Sequence, residues 1–325
     1  MPLRLFLLLS ISFTFASTAI AQVLDPNAIE TSAPAIIPDP EKLDPGLIRL
    51  QVLLDRSRYS PGVIDGHFGD NVSKAIAAFE LASGLTSDGM PDQQMWDMLV
   101  AGDSSPVLKR YQISEKDAGG PFLAVRPEKL EHMAELKQLA FSSPREALAE
   151  KFHMDEQLLE ALNPGVDFGR AGAEIIVAVV NQRDEPESIA RIEVSKISGS
   201  LRGYKDDGTE AVFYPASIGS VSTPSPSGTH EVRTIAPDPV YYYNPRELDF
   251  DTVETDEPFE IAAGPNNPVG SVWIDLTEKG YGIHGTPEPS LISKSESHGC
   301  VRLTNWDAEE LSLMVRTGTV VEFKD

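Results

Sequence analysis

The sequence predicts a multidomain α+β protein in which two small modules precede a larger, mostly-β domain. Residues 44–101 show the apolar spacing of short helices, and residues 138–181 read as two helices followed by a strand. Residues 187–325 instead show period-two alternation interrupted by Pro and Gly turns. A chain of 325 residues is long enough for two or three domains with cores of their own.

The first 21 residues have the pattern of a secretory signal. Arg4 precedes an apolar run from Leu5 to Phe15, and Ala19-Ile20-Ala21 is an A-x-A cleavage site. The run is short for a bilayer span, which needs about twenty residues, and no later segment is apolar enough. We therefore expect an exported, periplasmic protein without a membrane span after cleavage. An uncleaved N-terminal anchor is the alternative.

Composition limits the kinds of partner and the role of cysteine. Residues 22–43 are rich in Pro, Ala and acids and lack periodicity, which predicts an extended or disordered linker. A net charge of −23 argues against binding nucleic acid or anionic lipid through a general electrostatic field. The single cysteine of this exported chain excludes an intramolecular disulfide, so the thiol serves another purpose.

The first module, residues 44–101, is predicted to be a compact bundle of three helices. Asp44 can cap the first helix with Pro45 at its first turn. Asn71 is the predicted cap of the second helix. Two turn strings echo each other and suggest an internal repeat; they run from Asp65 to Gly69 and from Gly84 to Gly89.

The second module, residues 138–181, is predicted to contain two helices and one strand. Ser143-Pro144-Arg145-Glu146 is a capping box, and Asn163-Pro164-Gly165 ends the second helix. An apolar β-like run follows, and no strand is evident before the helices. The segment 102–137 gives no clear signal and is interpreted as a connection that packs the two modules together.

The C-terminal region, residues 187–325, is predicted to be a β-sandwich or barrel-like domain. Apolar residues alternate with polar ones around Ile192 and around Ile274, and the chain closes on a last strand. One helix interrupts this pattern from about Trp306, with Thr304 or Asn305 as its cap.

Candidate catalytic residues cluster near the C-terminus. Cys300 lies in the string Ser297-His298-Gly299-Cys300-Val301-Arg302, and His284-Gly285 lies sixteen positions upstream. A thiol becomes a good nucleophile when a nearby imidazole takes its proton or lowers its pKa. Glycine beside the thiol lets backbone N–H groups turn toward a developing oxyanion.

Three alternatives compete with this interpretation. A lone cysteine is often a small buried hydrophobic residue. Two histidines and a thiolate could hold zinc, although Glu288 and Glu296 show no ligand spacing to complete the site. His298 could also be a simple turn residue beside Gly299.

The string Ile283-His284-Gly285-Thr286 together with Ser297 to Leu303 resembles the active-site signature of the YkuD-type L,D-transpeptidases. The resemblance covers residues 187–325 and implies a β-sandwich catalytic domain. Residues 44–101 resemble the three-helix peptidoglycan-binding module, and residues 138–181 resemble a degenerate LysM module. Glu80 stands where the peptidoglycan-binding family often has Gln.

The resemblance implies roles for individual residues. Cys300 is the nucleophile, and His284 is its base or the imidazolium partner of a thiolate. The Gly285 carbonyl orients that imidazole. The backbone N–H groups of Gly299 and Cys300, with His298, form the oxyanion hole, and His298 is alternatively a second proton-transfer group.

Two further residues of the string are assigned to the substrate side. Arg302 is predicted to pair with a carboxylate of the donor stem peptide, with a structural salt bridge to an acid such as Asp307 as the alternative. Ser297 is predicted to shape the turn and to line the substrate site.

The implied reaction is acyl transfer between peptidoglycan stem peptides through a cysteine thioester, with no metal or organic cofactor. The acceptor could be a stem diaminopimelate in a 3→3 cross-link, a D-amino acid, an envelope protein or water. Water would make the protein an L,D-carboxypeptidase. A non-catalytic wall-binding protein and a papain-like amidase are the other classes. The order of histidine before cysteine is opposite to that of papain.

Overall fold

The computed structural model describes residues 24–180, 187–220, 223–245, 253–295, 297 and 299–325. The predicted signal peptide lies outside these residues. Within the described ranges, none of the helices combines the length and the apolar character that crossing a bilayer requires.

The N-terminal half is mainly helical. Its helices are α1 (Pro26–Thr31), α2 (Pro45–Arg56), α3 (Asp70–Ala82), α4 (Gln93–Gly102), α5 (Glu115–Gly119), α6 (Leu130–Ala134), α7 (Pro144–Lys151) and α8 (Glu156–Leu162). Its two strands are β1 (Leu108–Gln112) and β2 (Glu174–Ala178). Apolar residues from both predicted modules form one continuous buried cluster, so the two modules share a core.

The linker prediction for residues 22–43 differs from the structure. Residues 26–31 form α1, which Asp25 caps by accepting a hydrogen bond from the Asn27 amide. Leu24 and Ile29 are buried in the N-terminal core. Two apolar side chains in a segment without periodicity are a weak sequence signal for a helix. A helix of this length is unstable by itself in water, and packing against α2 stabilises it.

In the first module, two buried side chains accept hydrogen bonds from the backbone of the two similar turns, residues 65–69 and 84–89. The Gln51 amide oxygen accepts hydrogen bonds from the Asp65 and Gly66 amides at 3.1 and 2.8 Å. The Glu80 carboxylate accepts from the Asp88 and Gly89 amides at 3.1 and 3.0 Å. Both helices thus brace the turn that follows them, which supports the repeat and gives Glu80 a structural role. Helix α3 begins after Gly69, so Asn71 is not its cap.

Strand β1 corrects the interpretation of segment 102–137. It pairs antiparallel with β2, from Leu108 opposite Ala178 to Gln112 opposite Glu174. The second module is therefore a strand, two helices and a strand, with a long insertion between β1 and α7. The strand escaped prediction because it is short, largely polar and separated from α7 by that insertion. Its likeness to a LysM module remains a prediction.

The C-terminal half contains one helix, α9 (Asn305–Met314), among the residues that the structure describes, and an extensive sheet. Its strands are β3 (Arg191–Ser195), β4 (Ser200–Tyr204), β5 (Glu210–Pro215), β6 (Gly228–Pro237), β7 (Tyr241–Tyr243), β8 (Phe259–Ile261), β9 (Val272–Leu276), β10 (Gly282–His284), β11 (Val301–Arg302) and β12 (Val320–Lys324). The strand order is β11-β10-β9-β6-β12-β3-β4-β5, and β7 and β8 form a separate hairpin.

Strand β6 turns this sheet back on itself. Its first residues pair with β12, its last residues pair with β9, and the register shifts between Val232 and Thr234. A register irregularity of this kind bends a strand and increases its twist. Apolar residues of both halves of the sheet and of α9 form one core. The multidomain α+β class with a mostly-β C-terminal domain is confirmed.

The two halves of the chain are packed together along β5. Phe213 exchanges backbone hydrogen bonds with Arg58 and Ser60, each at 2.9 Å, and its buried side chain belongs to the N-terminal core. A fragment of residues 187–325 would expose this phenylalanine to water. The whole chain is therefore the proper object for functional experiments.

Candidate functional site

The upstream histidine ends one strand at the edge of the sheet, and the cysteine immediately precedes the parallel strand beside it. Strand β10 pairs with β11, so that Ile283 is opposite Val301 and His284 is opposite Arg302. Cys300 immediately precedes β11. A parallel pair needs a crossover of a dozen or more residues, which explains the distance in sequence between the two candidate residues.

The protein fixes the orientation and tautomer of His284. The ring is 4% exposed and stacks on Trp273 at a centroid distance of 5.5 Å. Its Nδ1 lies 2.7 Å from the Gly285 carbonyl oxygen, the contact that the resemblance implied. A carbonyl oxygen only accepts, so Nδ1 carries the proton and Nε2 carries the free lone pair.

Gly285 has no room for a side chain. A Cβ atom built there would lie 2.2 Å from the Asn305 Oδ1 atom. The same oxygen accepts a hydrogen bond from the Ser271 amide at 3.1 Å, which holds the Asn305 side chain in place. Any larger residue at position 285 would displace the carbonyl that orients His284.

The electrostatic environment favours a neutral pair over an ion pair. Burial first, and then the positive charge of Arg302, lower the pKa of His284 to about 3, against opposing contacts with the backbone of Gly285 and Val269. Burial also raises the pKa of the Cys300 thiol to about 11, against the opposing effects of the Gly282 amide and Arg302. At neutral pH the site therefore holds an uncharged thiol and an uncharged imidazole.

The thiol is half-buried, and it makes a weak contact with the backbone. Its Sγ atom lies 3.8 Å from the Gly280 carbonyl oxygen, which is the acceptor of its hydrogen. A thiol has one hydrogen to donate, so its transfer to His284 requires that hydrogen to turn away from the Gly280 carbonyl, which rotation about the Cβ–Sγ bond allows.

The turn before Cys300 corrects two assignments. The Ser297 hydroxyl donates to the Cys300 carbonyl and accepts from the Gly299 amide at 3.2 Å. The Gly299 N–H is thus engaged within the turn and is not an oxyanion donor in this structure. Ser297 is 3% exposed, so it shapes the turn and does not face substrate.

Glycine is required at position 299 for two reasons. Its φ angle is +107°, a conformation that residues with a side chain rarely adopt, and a Cβ would lie 2.7 Å from the Tyr281 ring. The Ser225 hydroxyl donates to the Gly299 carbonyl at 2.6 Å and fixes the turn from the other side. His298 lies outside the described residues, so its two proposed roles stay predictions.

Arg302 presents a cation beside the thiol. Its backbone exchanges hydrogen bonds with Ser217, both at 2.9 Å. The side chain as a whole is half-buried, and its buried Nε atom has no hydrogen-bond partner in the described part of the chain. Asp307, the acid considered as a structural partner, instead accepts from the Ser60 hydroxyl at 3.0 Å. The structural salt bridge to Asp307 is therefore absent from the described residues, and pairing of Arg302 with a donor carboxylate stays a prediction.

Glu150 and Asn305 link the second module to this site, and sequence reasoning missed the pair. The Asn305 side-chain nitrogen lies 3.3 and 3.5 Å from the two Glu150 carboxylate oxygens. Both residues line a cavity of about 410 Å³ between the two halves of the chain. A glutamate on a helix surface carries no sign in the sequence that it will face an amide from a distant segment.

We expect the Glu150→Gln variant to gain stability relative to the natural protein as pH rises. Burial raises the pKa of Glu150 to about 8, from an ordinary value of about 4.3. Between these values the folded state binds one more proton than the unfolded state, so stability from this group falls as pH rises. Melting temperatures from pH 5 to 9 should diverge in favour of the variant. Glu41→Gln, an exposed change whose carboxylate is not among the groups that shift the pKa of Glu150, is the control. A pH-independent difference would contradict the assignment.

Comparisons with known proteins agree with this geometry. Residues 189–323 match the family model for the YkuD L,D-transpeptidase catalytic domain, and residues 44–99 match a peptidoglycan-binding domain. Both resemblances drawn from the sequence are confirmed.

Individual proteins show the same similarity. The Bacillus licheniformis protein named L,D-transpeptidase YkuD is 32% identical over 179 residues, which cover 54% of this chain and 90% of that protein. L,D-transpeptidase YbiS of Escherichia coli K12 is 27% identical over 187 residues, covering 57% of this chain and 61% of that one. A solved L,D-transpeptidase from Mycobacterium smegmatis is 18% identical with a TM-score of 0.35, over 47% and 64% of the two chains.

Proposed function

Because the chain belongs to the YkuD family of L,D-transpeptidases, we propose that it transfers acyl groups between peptidoglycan stem peptides through a thioester on Cys300. The observation that carries this proposal is the pairing of β10 with β11. It brings His284 of β10 and Cys300, the residue before β11, to the same edge of the sheet. The contact of Nδ1 with the Gly285 carbonyl leaves the imidazole Nε2 to accept a proton.

With Cys300 and His284 both uncharged, the first step requires the thiol to lose its proton to the imidazole as the sulfur attacks. The Cys300 sulfur attacks the carbonyl carbon of the third stem residue while its proton passes to His284 Nε2. The backbone N–H of Cys300 is the proposed donor to the resulting oxyanion, since that of Gly299 is engaged. Collapse of the tetrahedral intermediate breaks the amide bond, and the D-alanine nitrogen leaves with the proton from His284.

The second step opens the thioester. An acceptor amine attacks the acyl carbon, gives its proton to His284, and displaces the Cys300 sulfur, which is reprotonated. Buried His284 stays neutral over the physiological range, so the same imidazole is ready as the base for both steps. Arg302 is the proposed partner of a donor carboxylate, because its guanidinium is half-buried beside the thiol.

The N-terminal module gives the enzyme a second means of contact with its polymeric substrate. Residues 44–99 match a peptidoglycan-binding domain and contain none of the proposed catalytic residues. We place the protein at the cell wall on this basis. Attachment of this kind raises the local concentration of stem peptides at the active site.

Mass analysis of muropeptides tests the function and identifies the acceptor. The full chain is incubated with disaccharide-tetrapeptides, with and without an added D-amino acid. A dimer that has lost one D-alanine indicates 3→3 cross-linking, and an exchanged terminal residue indicates D-amino-acid transfer. A tripeptide product alone indicates an L,D-carboxypeptidase. An unchanged muropeptide profile and no acyl-enzyme mass would contradict the proposal.

A further inference from the structure

A segment of the N-terminal half lies across the catalytic domain. We call residues 121–141, within the insertion between β1 and α7, the strap. Its Leu139 donates a backbone hydrogen bond to Ala263 at 3.0 Å and accepts one from Asn266 at 2.9 Å. Leu139 and Met133 also share a small buried core with Ile261 of the β7–β8 hairpin. The strap is thus held by both backbone and side-chain contacts.

The strap brings a cation to the loop that joins the two catalytic strands. Arg126 forms an ion pair with Glu288, a residue 162 positions away in sequence. Glu288 follows His284 by four residues, on the connection between β10 and β11. The Arg126 side chain is 26% exposed and that of Glu288 is 48% exposed, so water screens the pair only in part.

The same carboxylate acts on a second cation. Burial lowers the pKa of Arg302, and the charge of Glu288 is the largest effect that opposes this. Yet Glu288 forms its ion pair with Arg126, and within the described residues it forms none with Arg302. Two guanidinium groups therefore stand near one carboxylate, and only the one from the strap is bound to it.

We propose that Arg126 is a positioning residue that holds Glu288 away from Arg302, so that the Arg302 guanidinium stays available for a carboxylate of the donor stem peptide. The inference rests on the proposed function and deepens it, because it assigns a segment of the N-terminal half a part in donor recognition. Arg126 acts through Glu288 and touches no reacting atom.

The physical reason is competition for one guanidinium. Without Arg126, the Glu288 carboxylate loses its ion-pair partner, and Arg302, on which its charge already acts, is a guanidinium that it can pair with instead. A donor peptide would then have to displace an internal carboxylate before it could bind. Such a cost falls on substrate binding and leaves the later chemical step unchanged.

The test is a double-mutant series in the full chain, with an acylation assay on a tetrapeptide donor. We expect Arg126→Gln to raise KM for the donor by roughly threefold to tenfold with little change in kcat, the range for a partly exposed charge pair. Glu288→Gln should not raise KM. The double variant should return KM to the natural value, because the competing carboxylate is gone. Lys129→Gln, an equal charge change on the strap whose partner is Glu254, should leave KM unchanged.

The outcomes separate this inference from the proposed function. If the natural protein forms no acyl-enzyme with the tetrapeptide, the proposed function fails. If it does react and Arg126→Gln keeps the natural KM, the inference is overturned. An increase in KM that the double variant does not reverse would also overturn it, because Arg126 would then act by another route. Melting temperatures of all four variants identify any loss of folding.

Discussion

Replacing Cys300 by alanine is expected to abolish acyl transfer while the fold stays intact. Loss of the nucleophile in a covalent mechanism removes the reaction pathway itself, and we expect turnover to fall at least about a thousandfold. The change from thiol to methyl removes one atom from a half-buried site. It should therefore alter the free energy of unfolding by no more than about 1 kcal/mol.

Two measurements check this result. Mass spectrometry of the intact protein should show a donor adduct on the natural chain and none on the variant, and thermal melts should nearly coincide. Ser225→Ala serves as a control, because it removes a hydrogen bond to the Gly299 turn and leaves the thiol in place. We expect reduced but measurable turnover from it. Undiminished dimer formation by Cys300→Ala would disprove the assignment of the nucleophile.

Replacing His284 by alanine is expected to slow acylation near pH 7 by roughly a hundredfold to ten-thousandfold, the usual contribution of a general base. The suitable probe is a carbapenem, whose strained carbonyl offers the thiol an electrophile like the stem-peptide amide. The variant has no base at this position, so only the thiolate form of Cys300 can attack.

The acylation rates of the natural protein and of His284→Ala are expected to depend differently on pH. With His284 present, the base is neutral well above its pKa of about 3, so acylation should change little between pH 5 and 8. Without it, a thiol with a pKa of about 11 is ionised to the order of one part in ten thousand at pH 7. The rate for the variant should then rise about tenfold for each pH unit up to pH 10.

Intact-protein mass spectrometry over a pH series measures both profiles. His132→Ala, which removes an exposed histidine of α6, is the control and should follow the natural protein. Acylation of His284→Ala at the natural rate at pH 7 would show that His284 is not the base. His298 would then be the residue to test.

Local chemistry in the sequence was enough to identify the family signature and many helix ends. The hydroxyl of Ser143 accepts from the Glu146 amide at 3.0 Å, and that of Thr304 accepts from the Asp307 amide at 3.1 Å, as helix caps do. Such contacts join residues three positions apart, so the sequence alone contains both partners. The sequence also predicted that helical modules precede a β domain, because the apolar spacing that distinguishes helices from strands involves only neighbouring residues.

Tertiary structure decided how the catalytic turn uses its polar groups. The Ser225 hydroxyl, 74 positions before Gly299, donates to the Gly299 carbonyl at 2.6 Å and helps to hold the turn in which the Gly299 N–H meets Ser297 rather than an oxyanion. Neutral protonation states for Cys300 and His284 likewise follow from burial, which no local pattern reveals. The same two residues in an exposed loop would titrate near their ordinary values.

What the sequence by itself determined, then, is the family signature around His284 and Cys300 and most of the helices and strands, though not α1 or β1. Only the folded chain decided that β1 pairs with β2 across a long insertion, that Glu150 meets Asn305, and that Arg126 meets Glu288. These partners are separated by 60 to more than 160 residues. Their contacts depend on how complete elements pack, because a polar side chain gains a distant partner only after the core between them has formed.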